Sequence, residues 1–167
     1  MKVTKVLVKN GSIYLPTNSE NMNGDGYYVT FRSGRISSII KNLKVDEGSL
    51  EQQIPSSNRY CKVMTSEQYE KYITQDISKV FSGRNRNALL RYIGANSVRS
   101  KNNKVSIPIA YRSSYSAGEF VLLTDENGLM EIWDSTVWEK VKSVMLEQGK
   151  IIENKGIEEI SSQGVSL

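Results

Sequence analysis

The sequence predicts an α+β fold in which two copies of one β unit close on each other around a pseudo-two-fold axis, with helices alongside. The first observation is a pair of prolines. Pro16 and Pro108 each follow a turn and a short apolar stretch, and they lie 92 positions apart. The second is a pair of glycines, Gly26 and Gly118, which each open an apolar run and are also 92 positions apart. A duplication at one fixed spacing indicates the architecture before any single residue is interpreted.

A helix start that occurs twice is the third observation. Residues 66–72 and 135–141 share an aromatic-Glu-Lys sequence, which begins at Tyr69 and at Trp138. This spacing is 69 positions, and we attribute the difference to an insertion at 41–58 in the first copy. A unit of two hairpins and one helix is too small to cover its own apolar face, so the two units are expected to share one core.

The first copy is predicted to consist of short strands, tight turns and one helix. Asn10-Gly11 supplies the positive φ angles of a hairpin turn. Thr65 and Gln68 form a capping box that starts the helix. The predicted strands are 3–8, 13–15, 27–31, 35–40 and 60–64, and 17–25 is predicted to be a polar loop.

The second copy is predicted to begin with a helix over 84–93 that Gly94 ends. Either Asp134 or Ser135 is predicted to cap the last helix. The predicted strands between these helices are 105–107, 120–124 and 129–133.

Three residues with reactive or aromatic side chains are expected in the core. Trp138 lies on the apolar stripe of the last helix, and Trp133 lies in the strand before it. Tryptophans in such positions pack far more often than they stack on bases. The single cysteine, Cys61, is expected to be buried and inert.

The chain is predicted to divide into two repeats and a tail. The first repeat spans 1–80 and contains the insertion at about 41–58, and the second spans 81–147. Residues 148–167 lose the apolar pattern and are predicted to form a weakly ordered tail.

The composition argues against several kinds of chemistry. The 167 residues include one cysteine and no histidine, and the formal net charge is +4. The commonest general base and metal ligand is therefore missing, so we expect no enzyme, no metal or other cofactor and no small-molecule substrate. No stretch approaches the roughly 18 apolar residues that a membrane span requires, which favours a cytoplasmic protein without a membrane partner. The positive charge favours an anionic partner such as nucleic acid.

Several motifs of the second copy carry a family resemblance. The most distinctive is the run Glu-Ile-Trp-Asp at 131–134, four residues before Trp138. The others are Arg84, Arg86, Arg91, Ala95, Ile107-Pro108-Ile109-Ala110-Tyr111-Arg112 and Glu139. With these motifs, about a third of the chain resembles the second half of MraZ proteins, bacterial transcriptional regulators of the AbrB-like swapped-hairpin class. The resemblance implies one barrel of two tandem swapped-hairpin units flanked by helices, and assembly into a homo-oligomer such as a ring.

The resemblance also implies where DNA would bind. In MraZ proteins an Asp-x-x-Gly-Arg turn is implicated in DNA binding, and the matching segments here are 8–12 and 100–104. In the second turn Lys104 replaces the arginine. A lysine ammonium attracts phosphate, but it lacks the planar guanidinium that donates two parallel hydrogen bonds. We therefore expect a sequence-dependent regulator that binds double-stranded DNA as an oligomer and associates with the nucleoid. The predicted DNA contacts are Lys5, Lys9, Asn10, Arg99, Lys101, Asn103 and Lys104, while Arg84, Arg86, Arg91 and Arg112 are predicted to contact phosphate or a neighbouring subunit.

Two other functions are compatible with the same residues. A structural or protein-interaction module would reuse the fold without binding DNA, and would form a stable oligomer with no salt-dependent affinity for a duplex. An antitoxin-like regulator, whose tail at 149–167 covers a partner, is the third hypothesis, because AbrB-like folds also serve as antitoxins.

Overall fold

The computed structural model describes residues 1–16, 26–31, 37–42, 60–80, 83–115 and 119–149. Its strands are β1 (Lys2–Lys9), β2 (Ser12–Tyr14), β3 (Tyr27–Thr30), β4 (Tyr60–Thr65), β5 (Ser97–Arg99), β6 (Lys104–Ser106), β7 (Phe120–Thr124) and β8 (Met130–Asp134). Its helices are α1 (Ser38–Asn42), α2 (Ser66–Lys71), α3 (Ile77–Val80), α4 (Gly83–Asn96), α5 (Arg112–Tyr115) and α6 (Ser135–Glu147). A π-helical turn (Tyr72–Asp76) joins α2 to α3, and a 3₁₀ turn (Ile109–Tyr111) precedes α5.

The strands form one antiparallel sheet that is nearly closed into a barrel, so the fold is α+β. Their order is β5-β3-β4-β8-β7-β1-β2-β6. The two edge strands are joined by the turn between them: the backbones of Lys101 and Lys104 exchange hydrogen bonds of 2.9 and 3.0 Å. Near-closure removes the open edges that would otherwise invite pairing with another chain.

The strand pairing is symmetric about one axis. Exchanging β1, β2, β3 and β4 for β5, β6, β7 and β8 leaves the order of neighbours around the barrel unchanged. On one side of the barrel, Ile13 of β2 pairs with Val105 of β6. On the other side, Lys62 of β4 pairs with Glu131 of β8. The first pair is separated by 92 positions and the second by 69, which are the two spacings that relate the copies predicted from the sequence.

Two apolar clusters stabilise this arrangement. The first fills the barrel interior and includes Ile13 and Val105, which are both fully buried. The second lies on the outer face of β7 and β8, where α1 and α6 cover the sheet. Trp133 and Trp138 are buried in this second cluster, which confirms the core positions predicted for them. A fully buried Val or Ile side chain, such as those of the first cluster, contributes about 1.5–3 kcal/mol of transfer free energy.

The segment after Pro108 packs aromatic rings into the barrel. The Phe31 ring contacts the rings of Tyr111 and Tyr115, with centroids 5.4 and 5.7 Å apart. The Tyr115 hydroxyl is hydrogen-bonded to the thiol of Cys61. Burial raises the pKa of Cys61 to about 12, against the smaller opposing effect of the Tyr115 hydrogen bond. The predicted burial of Cys61 is confirmed, and the thiol stays protonated at neutral pH.

Both predicted helix caps are confirmed. Thr65 Oγ1 accepts from the Gln68 N–H at 3.1 Å, and the Gln68 side chain accepts from the Thr65 N–H at 3.0 Å. Asp134 is the residue that caps α6, because its Oδ1 accepts from the N–H groups of Thr136 and Val137. A reciprocal capping box at Thr65 and a one-way side-chain cap at Asp134 explain why the chain turns from strand to helix at these two points.

The predicted strand at 35–40 is wrong at its end, where Ser38 to Ile40 lie in α1. The Ser37 hydroxyl and the Ser38 N–H donate to the carboxylate of Glu131, and Ser37 Oγ accepts from the Ile40 N–H. These bonds satisfy the N–H groups at the start of a helix, and β3 pairs instead with β4 and β5.

The predicted end of α4 at Gly94 is also wrong, because the helix continues to Asn96. The Asn96 amide donates to the Tyr92 carbonyl at 2.8 Å, and the Ser97 hydroxyl donates to the Ile93 carbonyl. Side chains therefore satisfy the last carbonyls, and no glycine is needed there.

Parts of the sequence predictions lie outside the described residues. These are Gly118, the loop at 17–25, positions 43–58 of the insertion and 150–167 of the tail. Lys41 and Asn42, which the insertion was predicted to include, form the end of α1. The division into domains stays a prediction.

Candidate nucleic-acid interface

The two turns that are predicted to bind DNA lie at the ends of β1, β2 and β6. Along β1 the side chains alternate: Val6 and Val8 belong to the barrel core, so Lys5 and Lys9 lie on the outside. The same alternation in β2 and β6 leaves Tyr14 and Lys104 outside, opposite each other. We call the pair β2 and β6, with the turns at 9–12 and 101–104, the polar ribbon.

The second turn of the polar ribbon brings Lys101 and Lys104 together. Both are exposed, and their backbones pair directly across the turn. Asn102 has a φ of 55°, which asparagine tolerates better than most residues. Ser100 is buried and fixes the turn: its hydroxyl accepts from the Tyr27 N–H and donates to the Asn102 carbonyl.

Asn103 is engaged within the barrel. Its carbonyl accepts from the Leu15 N–H at 2.8 Å, and its side-chain amide donates to the Leu15 carbonyl at 3.2 Å. The equivalent bond of the other turn runs from the Ile107 N–H to the Gly11 carbonyl at 2.9 Å. Asn103 was predicted to contact DNA, but its side chain here positions the turn.

The first turn gains a cation from a distant part of the chain. Asn10 and Gly11 both have positive φ, 51° and 71°, as a two-residue hairpin turn requires. Arg112 of α5 lies against this turn, so that a Cβ added to Gly11 would be 3.3 Å from its Nε. The same Nε donates to the Ile107 carbonyl at 3.1 Å. Arg112 therefore adds a cation to the first turn, whose own residues 9–12 supply only Lys9.

The two cationic turns lie at opposite ends of the polar ribbon. Asn103 lies opposite Leu15, and Leu15 follows Gly11 by four residue steps along an extended strand. At about 3.4 Å per residue, the turns are about 14 Å apart. Exposed side chains between them, Lys104 and Ser106, can donate or accept hydrogen bonds.

The other predicted contacts lie farther from the polar ribbon. Arg99 is at the end of β5, where its guanidinium carbon is 5.9 Å from the centre of the Tyr28 ring. Arg84 and Arg91 are exposed on α4, and Arg86 is partly buried there. The Arg91 Nε donates to the Asn87 carbonyl of its own helix.

Charge is segregated between the two sides of the barrel. The described segments 1–16 and 83–115 contain β1, β2, β5, β6 and α4, and they carry ten lysines and arginines with no aspartate or glutamate. These strands are neighbours around the barrel. The segment 119–149, with β7, β8 and α6, carries seven acids and two lysines. A single-sign surface of this kind attracts a polyanion over distances longer than a direct contact.

Two features of the interface are not predicted by the sequence. Tyr14 and Ser106 face outward on the polar ribbon, which depends on which residues fill the barrel. The contact between Arg112 and Gly11 joins positions far apart in the sequence and depends on how α5 packs. The only available signal is the glycine itself, which permits both the positive φ and the close approach.

No model of a known protein family matches the chain, and a search of curated proteins finds no match. Within the part of the chain that the structure describes, every helix is too short or too polar to cross a membrane.

Proposed function

We propose that the protein binds double-stranded DNA through the polar ribbon, and that it acts as a transcriptional regulator. The observation that carries this proposal is the charge segregation: the described segments 1–16 and 83–115, which contain the contiguous strands β1, β2, β5 and β6 together with α4 and α5, carry ten cations and no acid. Phosphate contacts supply most of the affinity of such surfaces for a duplex.

The shape of the polar ribbon favours the major groove. That groove is about 12 Å wide and admits a two-stranded β ribbon. The two turns, about 14 Å apart along the ribbon, would place Lys9 and Arg112 at one backbone strand and Lys101 and Lys104 at the other. Ser106 and Tyr14 lie between them and would meet base edges, where hydroxyl groups can read donors and acceptors.

The symmetric strand pairing supports the interpretation of the barrel as two AbrB-like swapped-hairpin units. In that interpretation each unit supplies one cationic turn, so one chain presents two phosphate contacts related by the axis. The resemblance to MraZ proteins further supports a homo-oligomer, in which several chains would bind adjacent sites and gain affinity through multivalency. Nucleoid association would follow from this binding.

Reversing two charges of the second turn tests the proposal. We expect the double variant Lys101→Glu/Lys104→Glu to bind a duplex at least about tenfold more weakly than the natural protein, with a flatter dependence of log K on log salt. Electrophoretic mobility of a random duplex and of promoter-length DNA, each at two salt concentrations, measures both quantities. The difference between the two duplexes reports sequence dependence.

The matched control is Lys79→Glu/Lys140→Glu, which changes the net charge by the same amount. Both lysines are exposed and lie outside the polar ribbon, on α3 and α6. The control is expected to lose little affinity. If the ribbon variant binds as tightly as the control, the assignment of the interface is wrong.

A protein-interaction module is the second candidate, and one observation favours it. Val3 and Leu7 are 47% and 59% exposed on the outer face of β1, where apolar side chains are available for a partner. This function predicts a stable oligomer that does not bind a duplex at either salt concentration. Light scattering on the same samples gives the oligomer mass, so the two functions are separated in one experiment.

A further inference from the structure

A cavity of about 220 Å³ lies outside the barrel on the side opposite the polar ribbon. Its floor is the pair Lys62 and Glu131, which lies on the symmetry axis. The π-helical turn and the loop before β8 form its walls, with Tyr72, Asp76 and Asn127 among the lining residues. The volume is below the roughly 300 Å³ at which drug-sized pockets begin, so any ligand is small.

Glu131 is a carboxyl group at the back of the cavity, and both of its oxygens accept hydrogen bonds from other residues. It is 1% exposed, and one carboxylate oxygen accepts from the Ser37 hydroxyl and from the Trp133 indole N–H. The other oxygen accepts from the Ser38 N–H at 3.2 Å. Glu131 therefore has donors of its own and does not depend on a ligand in the cavity for its hydrogen bonds.

Lys62 makes no ion pair with another residue that the structure describes, so its ammonium has donors to offer. Its ammonium lies over the Tyr72 ring, 4.2 Å from the ring centre, in a cation–π contact. Burial lowers the pKa of Lys62, and the charges of Glu131 and Asp76 act in the opposite direction. A partly buried ammonium has three N–H donors, and an oxygen acceptor in the cavity would satisfy them.

The π-helical turn supplies the wall that faces Lys62. It begins at Tyr72 and ends at Asp76, and both residues line the cavity: Tyr72 supplies the ring below the ammonium, and Asp76 supplies a carboxylate. Asp76 is exposed and its charge acts on Lys62. π-helical turns inside helices occur frequently at functional sites, because they shift a side chain out of the regular helical pattern.

We propose that this cavity binds a small zwitterion, an α-amino acid, whose carboxylate accepts hydrogen bonds from the Lys62 ammonium and whose ammonium group donates to Asp76. The lining residues favour a ligand with both signs of charge, because Lys62 supplies N–H donors for a carboxylate and Asp76 supplies carboxylate oxygens for an ammonium group. An anion or a cation alone would leave one of these groups without a counterpart. The protein thus has a small-molecule site that is separate from the proposed DNA interface and does not depend on it.

Calorimetric titration of the full chain with leucine and with glutamine tests the site. We expect at least one of the two to bind with one-to-one stoichiometry. The amino acid that binds is then compared with an analogue that lacks its amino group and with one that lacks its carboxylate. For leucine these are 4-methylpentanoate and 3-methylbutylamine, and for glutamine they are 4-carbamoylbutanoate and 4-aminobutanamide. We expect both analogues to bind at least tenfold more weakly. Binding of neither amino acid, or equal binding of the amino acid and an analogue, overturns the proposal.

Two variants locate the binding at the cavity. Lys62→Met removes the donor, and Asp76→Asn, at an exposed position where folding is expected to persist, removes the counter-charge. Each is expected to weaken amino-acid binding at least tenfold. Lys79→Met, an exposed lysine of α3 that does not line the cavity, is the matched control and should bind as the natural protein does. Unchanged affinity in the Asp76→Asn variant contradicts the proposed geometry.

Discussion

Arg112 lies against Gly11 so closely that a side chain at position 11 would touch its guanidinium: the added Cβ would be 3.3 Å from Nε. Gly11 also has a φ of 71°, which non-glycine residues adopt at a cost of about 1–2 kcal/mol. One glycine therefore sets the shape of the first turn and the place of its cation.

We expect Gly11→Ala to lower the free energy of unfolding by about 1–2 kcal/mol, because both the φ angle and the contact become unfavourable. Urea denaturation measures the change. Gly94→Ala is the control: Gly94 lies inside α4 with no neighbour near its absent Cβ, so alanine is expected to stabilise by up to about 1 kcal/mol. Equal stability of Gly11→Ala and the natural protein would show that the turn relaxes without cost.

The Arg112→Met variant tests whether this cation contributes to DNA binding while the fold persists. Methionine keeps part of the packing but removes the charge, so we expect the slope of log K against log salt to fall by about 0.9, the amount for one phosphate contact. Duplex titration at four or more salt concentrations gives the slope. A slope equal to that of the natural protein means that Arg112 contacts no phosphate.

Asp134→Ala is expected to lower the free energy of unfolding by about 1 kcal/mol, because two N–H groups of α6 lose their acceptor. Asp134→Asn keeps an oxygen at the same place and should remain within a few tenths of a kcal/mol of the natural protein. Thermal unfolding of the three proteins side by side checks the order. The cap has no energetic role if alanine and asparagine are equivalent.

The stability of the protein is expected to depend on pH through Glu131. Burial raises the pKa of Glu131, against the opposing effects of Ser37, Trp133, Lys62 and Ser38. The folded state thus holds this proton more tightly than the unfolded chain. Ionisation of Glu131 therefore lowers the free energy of unfolding as pH rises from the ordinary pKa to the raised one, and adds no further change above it.

Glu131→Gln removes this titration. The free energy of unfolding of the natural protein, minus that of the variant, should fall as pH rises through this window and then level off. Urea denaturation at a series of pH values, which begins near the ordinary carboxyl pKa at about pH 4 and continues until the difference stops changing, measures this effect. A difference that is constant with pH would mean that Glu131 ionises as easily in the folded protein as in the unfolded chain.

Cys61 is expected to resist thiol reagents in the folded protein. Its pKa is raised to about 12 and its side chain is buried, so almost no thiolate is available at neutral pH. A disulfide reagent followed by absorbance should modify less than one tenth of the protein in the time that labels it fully in urea. Rapid labelling of the folded protein would indicate that the barrel opens.

The local elements were largely predictable because their signals are local. The turn at Asn10-Gly11 and the caps at Thr65 and Asp134 each depend on residues within four positions. The strand predicted at 35–40 is wrong at its end because α1 begins where the Glu131 carboxylate of β8 accepts from the Ser38 N–H and from the Ser37 hydroxyl. Glu131 lies more than ninety positions away, and no local pattern reports that contact.

The candidate sites were predicted in part. Lys101 and Lys104 lie together in the second turn as expected, because two residues of turn separate them. The contact of Arg112 with the first turn and the cavity at Lys62 depend on the closure of the barrel. The sequence contains the basic segments, but it does not show that they lie on one side of the barrel. That conclusion requires the strand order, in which β1, β2, β6 and β5 are neighbours.

The pairing of Lys62 with Glu131 has a consequence for how such a barrel can be assembled. In a dimer of two identical half-chains, any residue on the axis meets itself, so two lysines or two glutamates would face each other at close range. A single chain that contains both halves escapes this restriction, because each position on the axis can carry a different residue. With Lys62 in the first half and Glu131 in the second, pairing of the two different halves is favoured. Pairing of two copies of the same half is disfavoured.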